Sequence, residues 1–228
     1  MIRDFQISFQ DLVYQSGYPQ DFVKKANLST NLIQDLFLRL LLETKEKIGG
    51  KIMKVNISLT KDEKQIKFRC FENPTDVATV FLELPFNNLD EYFELSRDNK
   101  SEFLLEKTLE AFKELSEKTD TINYSLINSI AEKCKELNYK NHYYFGKLRS
   151  SKNRKNKAGI WVEHEENTFK IYLNILDKKE NLLKSELIAE TLPSYPKYYP
   201  LLGGIRWIDN ENVEFFNRNR EVLKNLSV

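Results

Sequence analysis

"AGIWVEHEENTFKIYLNIL", residues 158–176, decides how the second half of this chain folds. Phe169, Ile171, Leu173 and Ile175 recur at every second position, the spacing that lines one side of a strand. Glu165, Glu166 and Asn167 make the polar turn of a hairpin between strands at 158–164 and 168–176. The same reasoning places a strand at 142–149 and another at 184–192. "PSYPKYYP", residues 193–200, cannot enter a central strand, because its three prolines remove ladder donors. Tyr195, Tyr198 and Tyr199 there form either a rigid aromatic ridge or a loop that covers the sheet. Gly203-Gly204 is a turn, "IRWI" and "VEFF" form a short hairpin about Asn210, and a C-terminal helix closes the chain.

The first half opens with a strand at 2–9, with Phe5, Ile7 and Phe9 on one face. A helix follows, capped by Ser29 or Thr30, with Leu32, Ile33, Leu36, Phe37, Leu40 and Leu41 at helical spacing. Lys45 and Lys47 suit its last turn, and Gly49-Gly50 ends it. Three strands come next, carrying Met53, Val55, Ile57 and Leu59, then Ile66, Phe68 and Cys70, then the apolar and so central "VATVFLEL". "TKDEK" and "ENPTD", with Pro74, are the turns between them. Residues 88–118 are helical, with Ser101 as a cap and Leu104, Leu105, Thr108, Leu109, Phe112 and Leu115 inward. A further helix spans 123–138 and turns Cys134 into the core.

This layout predicts an α+β protein of two antiparallel-sheet subdomains, each with helices packed on one face. The halves, 1–120 and 121–228, join near residue 120 without a residue-level repeat. Two cysteines at unpaired spacing argue against a disulfide framework and a CxxC metal site. Arg3 and Asp4 stand where a signal peptide needs apolar residues, and "LIQDLFLRLLLE" is too short and too charged to span a bilayer. The expected location is the cytoplasm, with no membrane partner. With seven glycines in 228 residues, a glycine-rich phosphate cradle is not expected, and no cofactor is.

No catalytic set assembles by spacing. The only histidines are His142 and His164. Glu163, His164, Glu165 and Glu166 are the best metal candidates, but on a strand His164 points away from Glu163 and Glu165. Glu43-Thr44-Lys45 has the E-x-K spelling of a metal-dependent nuclease on an expected helix, where it is of no use. A divergent nuclease would make magnesium-dependent activity hang on Glu163 or Glu165. The balance leans away from an enzyme, and no metal site is expected.

Charge, by contrast, is sorted. The net charge is only +1, yet residues 133–157 hold nine lysines and arginines against Glu136 alone. Residues 85–120 hold ten acids against five bases. Segregation of this kind steers protein partners. The leading expectation is a non-enzymatic protein-binding protein, in concrete form an immunity or antitoxin-type inhibitor whose acidic face, Asp90, Glu91, Glu94 and Asp98, covers a toxin domain. The alternative is a nucleic-acid-binding or processing protein that uses the basic hairpin. Lys147, Arg149, Lys152, Arg154, Lys155 and Lys157 would neutralise phosphates, and Tyr143, Tyr144 and Trp161 would stack on bases. The bland reading of "RSSKNRKNK" is a solvated turn between two strands.

Overall fold

The computed structural model describes residues 1–9, 19–60, 66–72, 77–86 and 88–228. It divides into two compact units, Met1–Tyr139 and Lys140–Val228.

In the first unit, β1 (Asp4–Ser8), β2 (Ile52–Thr60), β3 (Lys67–Glu72) and β4 (Ala78–Pro85) form one sheet in the order β1-β2-β4-β3. Its pairings are mixed: β1 and β4 run parallel to β2, and β3 is antiparallel to β4. The apolar β4 is interior, as its composition predicts. Helices α1 (Gln20–Glu43), α3 (Arg97–Lys118) and α4 (Tyr124–Glu136) share a core with the sheet face that carries Phe5, Ile7, Val55, Val80 and Leu82. The short α2 (Leu89–Glu94) precedes α3. The opposite face carries charge, with Lys54 on Asp4 at 2.9 Å and Arg69 paired with Glu83. The turns read at "TKDEK" and "ENPTD" lie, but for their first residues, outside the described residues.

Local signals fared unevenly. α1 starts after Pro19, so Ser29 and Thr30 are not its caps but buried residues of its interior. Thr30 and Gln34 serve β1, which among the described residues has a strand on only one side, while Ser29 Oγ bonds the Ala26 carbonyl and the Tyr92 hydroxyl. Thr30 Oγ1 donates to the Ile7 carbonyl at 3.1 Å, and the Ile7 N–H donates to Gln34 Oε1 at 2.6 Å. The same residue types favour both jobs, because a short polar side chain can bond backbone wherever a group lacks a partner. α1 ends at Glu43, ahead of Lys45, Lys47 and the glycines. The cap of α3 is Ser96, which accepts from the Asn99 N–H at 3.3 Å, and Ser101 is buried inside that helix. Cys134 is buried in α4, and burial pushes its thiol up to about 12.

The second unit packs two antiparallel sheets. β5 (Asn141–Ser150), β6 (Asn156–His164), β7 (Phe169–Asp177) and β8 (Leu182–Thr191) form a meander in chain order. β9 (Gly204–Trp207), β10 (Asn212–Phe216) and β11 (Val222–Ser227) form a smaller sheet in the order β11-β10-β9. The opening stretch is therefore the central hairpin of the larger sheet, turning where the Glu165 N–H donates to the Thr168 carbonyl at 2.8 Å. Phe169, Ile171, Leu173 and Ile175 are all buried and share a core with Val213, Phe215 and Leu226 of the smaller sheet.

The expected C-terminal helix is β11. Leu226 faces the core while Val222 and Leu223 stay exposed, an arrangement that suits the edge of a small sheet. "YPKYYP" becomes α5 (Tyr195–Tyr198) and a 3₁₀ turn over Tyr199–Leu201. It divides the two readings of its tyrosines. Tyr198 covers the sheet, stacked on Phe169 with centroids 4.0 Å apart, and Tyr195 stays 56% exposed. The α+β, two-subdomain layout is as the sequence predicts, except that the first sheet is mixed rather than antiparallel and the helix Tyr124–Glu136, expected in the second half, packs in the core of the first unit. A small sheet, rather than a long helix, closes the core of the second unit.

Candidate functional site

The basic stretch at 147–157 is the end of the β5–β6 hairpin. Its cations part company there. Lys152 Nζ donates to the Ile208 carbonyl at 2.9 Å, and Lys157 Nζ reaches Glu180 Oε1 at 2.5 Å. Arg154 and Lys155 stand exposed in the tip, with Arg154 in the left-handed region at φ 57°. Lys147 and Arg149 turn instead to a cleft of about 380 Å³ inside the second unit.

The aromatics expected to join them are also divided. Tyr143 packs against the core between the two sheets. Tyr144 and Trp161 lie side by side on adjacent strands, centroids 4.9 Å apart. They are already engaged: Asn174 Nδ2 donates to the Tyr144 hydroxyl at 3.3 Å, and Trp161 Nε1 donates to Glu163 Oε1 at 3.2 Å.

The cleft is built by four segments of chain. β5 supplies Phe145, Lys147 and Arg149 along one wall. Gly146, at φ 74°, lets the strand bulge at this point, where its register against β6 shifts. Ile160 of β6 and Leu202 contribute apolar lining, and Phe216 closes the end of β10. The far wall is the turn after β10, with Arg218 and Arg220. Gly203 makes the approach possible, because a Cβ there would strike the Phe216 carbonyl oxygen and the Asn217 backbone.

Both arginines of the turn are held. Arg218 Nε donates to the Tyr199 carbonyl at 3.2 Å, and its guanidinium lies 3.5 Å from the centroid of the Tyr199 ring. Tyr195 also stacks on Tyr199, at 4.3 Å. The Arg220 guanidinium stands 5.1 Å from the Phe216 ring. The nearby acid, Glu221, is absorbed by the turn itself, its Oε2 accepting from Asn217 Nδ2 at 2.6 Å. Across the cleft, Trp207 Nε1 donates to the Arg149 carbonyl at 2.8 Å and ties β9 to β5. Among the described residues, none of Lys147, Arg149, Arg218 and Arg220 is paired with a carboxylate. Four like charges around a concave wall reinforce one another's field, because the low-dielectric walls focus it into the cleft.

Sequence reasoning found half of this site. Arg218, Arg220, Phe216 and Gly203 escaped it, because the chain after "VEFF" reads as a closing helix rather than as a turn between two strands. The available signal was "NRNR", two arginines interleaved with turn-forming asparagines directly after the apolar "VEFF".

The histidines and carboxylates do not converge. His164 is buried on the core side, 5.1 Å from the Phe169 ring, and burial pushes it down to about 3. His142 Nε2 bonds Glu165 Oε1 at 2.5 Å on the other face. No cluster of three His, Cys, Asp or Glu side chains suited to a metal occurs among the described residues. Among them, no helix is long and apolar enough to cross a membrane.

In the first unit, Asp90, Glu91, Glu94 and Asp98 are all exposed, on α2 and the first turn of α3. Arg97 Nη1 pairs with Asp98 at 3.0 Å. Lys25 and Lys100 stand 5.3 and 5.9 Å from the Phe93 ring of the same short helix. Cations therefore intermingle with this acidic patch. Comparison with family models, with curated proteins and with solved structures gives no match.

Proposed function

We propose that the second unit binds single-stranded nucleic acid. Lys147 and Arg149 on one wall and Arg218 and Arg220 on the other would hold the phosphates. Phe216 in the cleft and the exposed Tyr195, which caps the Tyr199 ring, would offer flat apolar surface to unpaired bases. A positively charged groove beside aromatic faces is the usual arrangement for a strand whose bases are free to stack. The reading favours one strand over two, because a duplex keeps its bases stacked on one another, out of reach of a cleft of this size. The observation that carries it is the meeting on one concave surface of four cations, none of which has a carboxylate partner among the described residues. The protein-partner reading, through Asp90, Glu91, Glu94 and Asp98, has less behind it, since Arg97, Lys25 and Lys100 dilute that patch.

Fluorescence anisotropy of a labelled oligothymidylate tests the proposal. The wild type should bind, Arg149→Ala with Arg218→Ala should bind much more weakly, and Arg154→Ala with Lys155→Ala should resemble the wild type. Equal loss from the cleft pair and the tip pair, or no binding by the wild type, would end this reading.

A further inference from the structure

An exposed apolar edge of the second unit lies on β8. This strand has β7 on one side and, among the described residues, no strand on the other. Leu182, Leu183 and Leu187 along it are 58%, 53% and 46% exposed. An edge of this kind templates pairing with another strand, and proteins usually blunt it with lysine, proline or a bulge.

Here a lysine, Lys184, is present and register shifts lie at both ends, but between them the lysine is matched by a glutamate two residues on. Read outward from Ser185, the stretch "LLKSELI", residues 182–188, is symmetric in character. Lys184 mirrors Glu186, Leu183 mirrors Leu187, and Leu182 mirrors Ile188. In an antiparallel pair related by a two-fold axis, each residue meets its mirror position, and every contact occurs twice. Lysine then meets glutamate on both sides of Ser185, a favourable cross-strand pair made twice.

The faces agree as well. Lys184 and Glu186 lie opposite Ile175 and Leu173, whose side chains are in the core, so both share that side of the sheet. Ser185 and Leu187 lie opposite Asn174 and Tyr172 and share the other. Register shifts flank this stretch, and residues 184–187 pair with β7 without one. Within the chain, β11 steadies both charges at the edge: Lys184 Nζ donates to the Ser227 carbonyl at 2.9 Å, and Lys224 bonds Glu186 at 2.7 Å.

We propose that two copies of this chain form a two-fold dimer by antiparallel pairing of β8 with β8, in the register that sets Ser185 against Ser185. Each four-stranded sheet becomes half of a continuous eight-stranded sheet. The occupant is a second copy rather than another protein, because a second copy carries the same Lys184–Ser185–Glu186 order and so meets this edge with opposite charge on both sides of the axis. The inference does not rest on nucleic-acid binding.

Sedimentation velocity and light scattering of the full chain test it. The wild type should have twice the chain mass of 27.0 kDa at high concentration and dissociate on dilution. Lys184→Glu and Glu186→Lys should each give a monomer, because like charges then face each other twice. The double variant, with the charges exchanged, should recover the dimer, which a misfolded protein would not do. In a Cys70→Ser background, Ser185→Cys should form a covalent dimer on mild oxidation. A wild type that is monomeric at every concentration overturns the proposal. So does a dimer indifferent to both charge reversals, or a Ser185→Cys variant that does not cross-link.

Discussion

Arg218 is fixed to Tyr199 twice, by a 3.2 Å bond from its Nε to the Tyr199 carbonyl and by a guanidinium 3.5 Å from the ring centroid. A flexible surface arginine loses rotamer freedom when it grips a ligand, whereas one already stacked loses less. Arg218 is therefore a pre-positioned cation of the cleft.

That difference separates arginine from lysine. Arg218→Lys keeps the charge but loses the flat stack and the Nε donor. Affinity for oligothymidylate should fall by about 0.5–1.5 kcal/mol, the cost of ordering one free side chain on binding. Arg218→Ala should cost more. Equal affinity for the lysine variant and the wild type would show that the stack has no part in binding.

Gly203→Ala probes the construction of the cleft. The added methyl group meets backbone on the neighbouring segment rather than a side chain that can turn away. Urea unfolding should show a loss of about 1–3 kcal/mol, as for overpacked sites, together with weaker oligonucleotide binding. An unchanged midpoint would mean that the 202–204 segment moves aside freely.

His164 gives the second unit a dependence on pH. Its folded value is pushed from an ordinary 6.5 down to about 3, so between those values the unfolded chain binds more protons. Stability from this group is complete above about pH 6.5 and falls with pH by at most about 1.4 kcal/mol per unit. His164→Leu should flatten the stability profile between about pH 6.5 and the range where carboxylates titrate. The slope decides the matter, since the substitution also removes the 3.5 Å contact with Asn141 and changes the intercept. A slope equal to that of the wild type would place the titration elsewhere.

Gln34 does comparable work in the first unit. It accepts from the Ile7 N–H at 2.6 Å, and Gln34→Leu leaves that buried donor unsatisfied. The cost should be about 1–3 kcal/mol by chemical denaturation. A neutral substitution would show that β1 docks without it.

The two halves of the cleft differ in how far they could be read from sequence. Alternation along residues 169–175 placed the central hairpin correctly, because each of those side chains has one buried face to satisfy. Lys147 and Arg149 stood out as cations without nearby acids. Arg218 and Arg220 did not, because "EVLKNLSV" carries no pattern strong enough to separate an edge strand from a helix. Their meeting with Lys147 depends on the packing of one sheet on another, which no short window contains. Thr30 misled for a related reason. A hydroxyl that satisfies a neighbouring strand and one that caps a helix look alike until the strand is in place.

The salt dependence of oligothymidylate binding tests the cleft most directly. If Lys147, Arg149, Arg218 and Arg220 each hold one phosphate, the logarithm of the binding constant should fall against the logarithm of salt with a slope of about −2.8. Removing both Arg218 and Arg220 should bring that slope to about −1.4. A slope untouched by those two substitutions, or one that moves only when Arg154 and Lys155 are replaced, would contradict the account and transfer the binding to the hairpin tip.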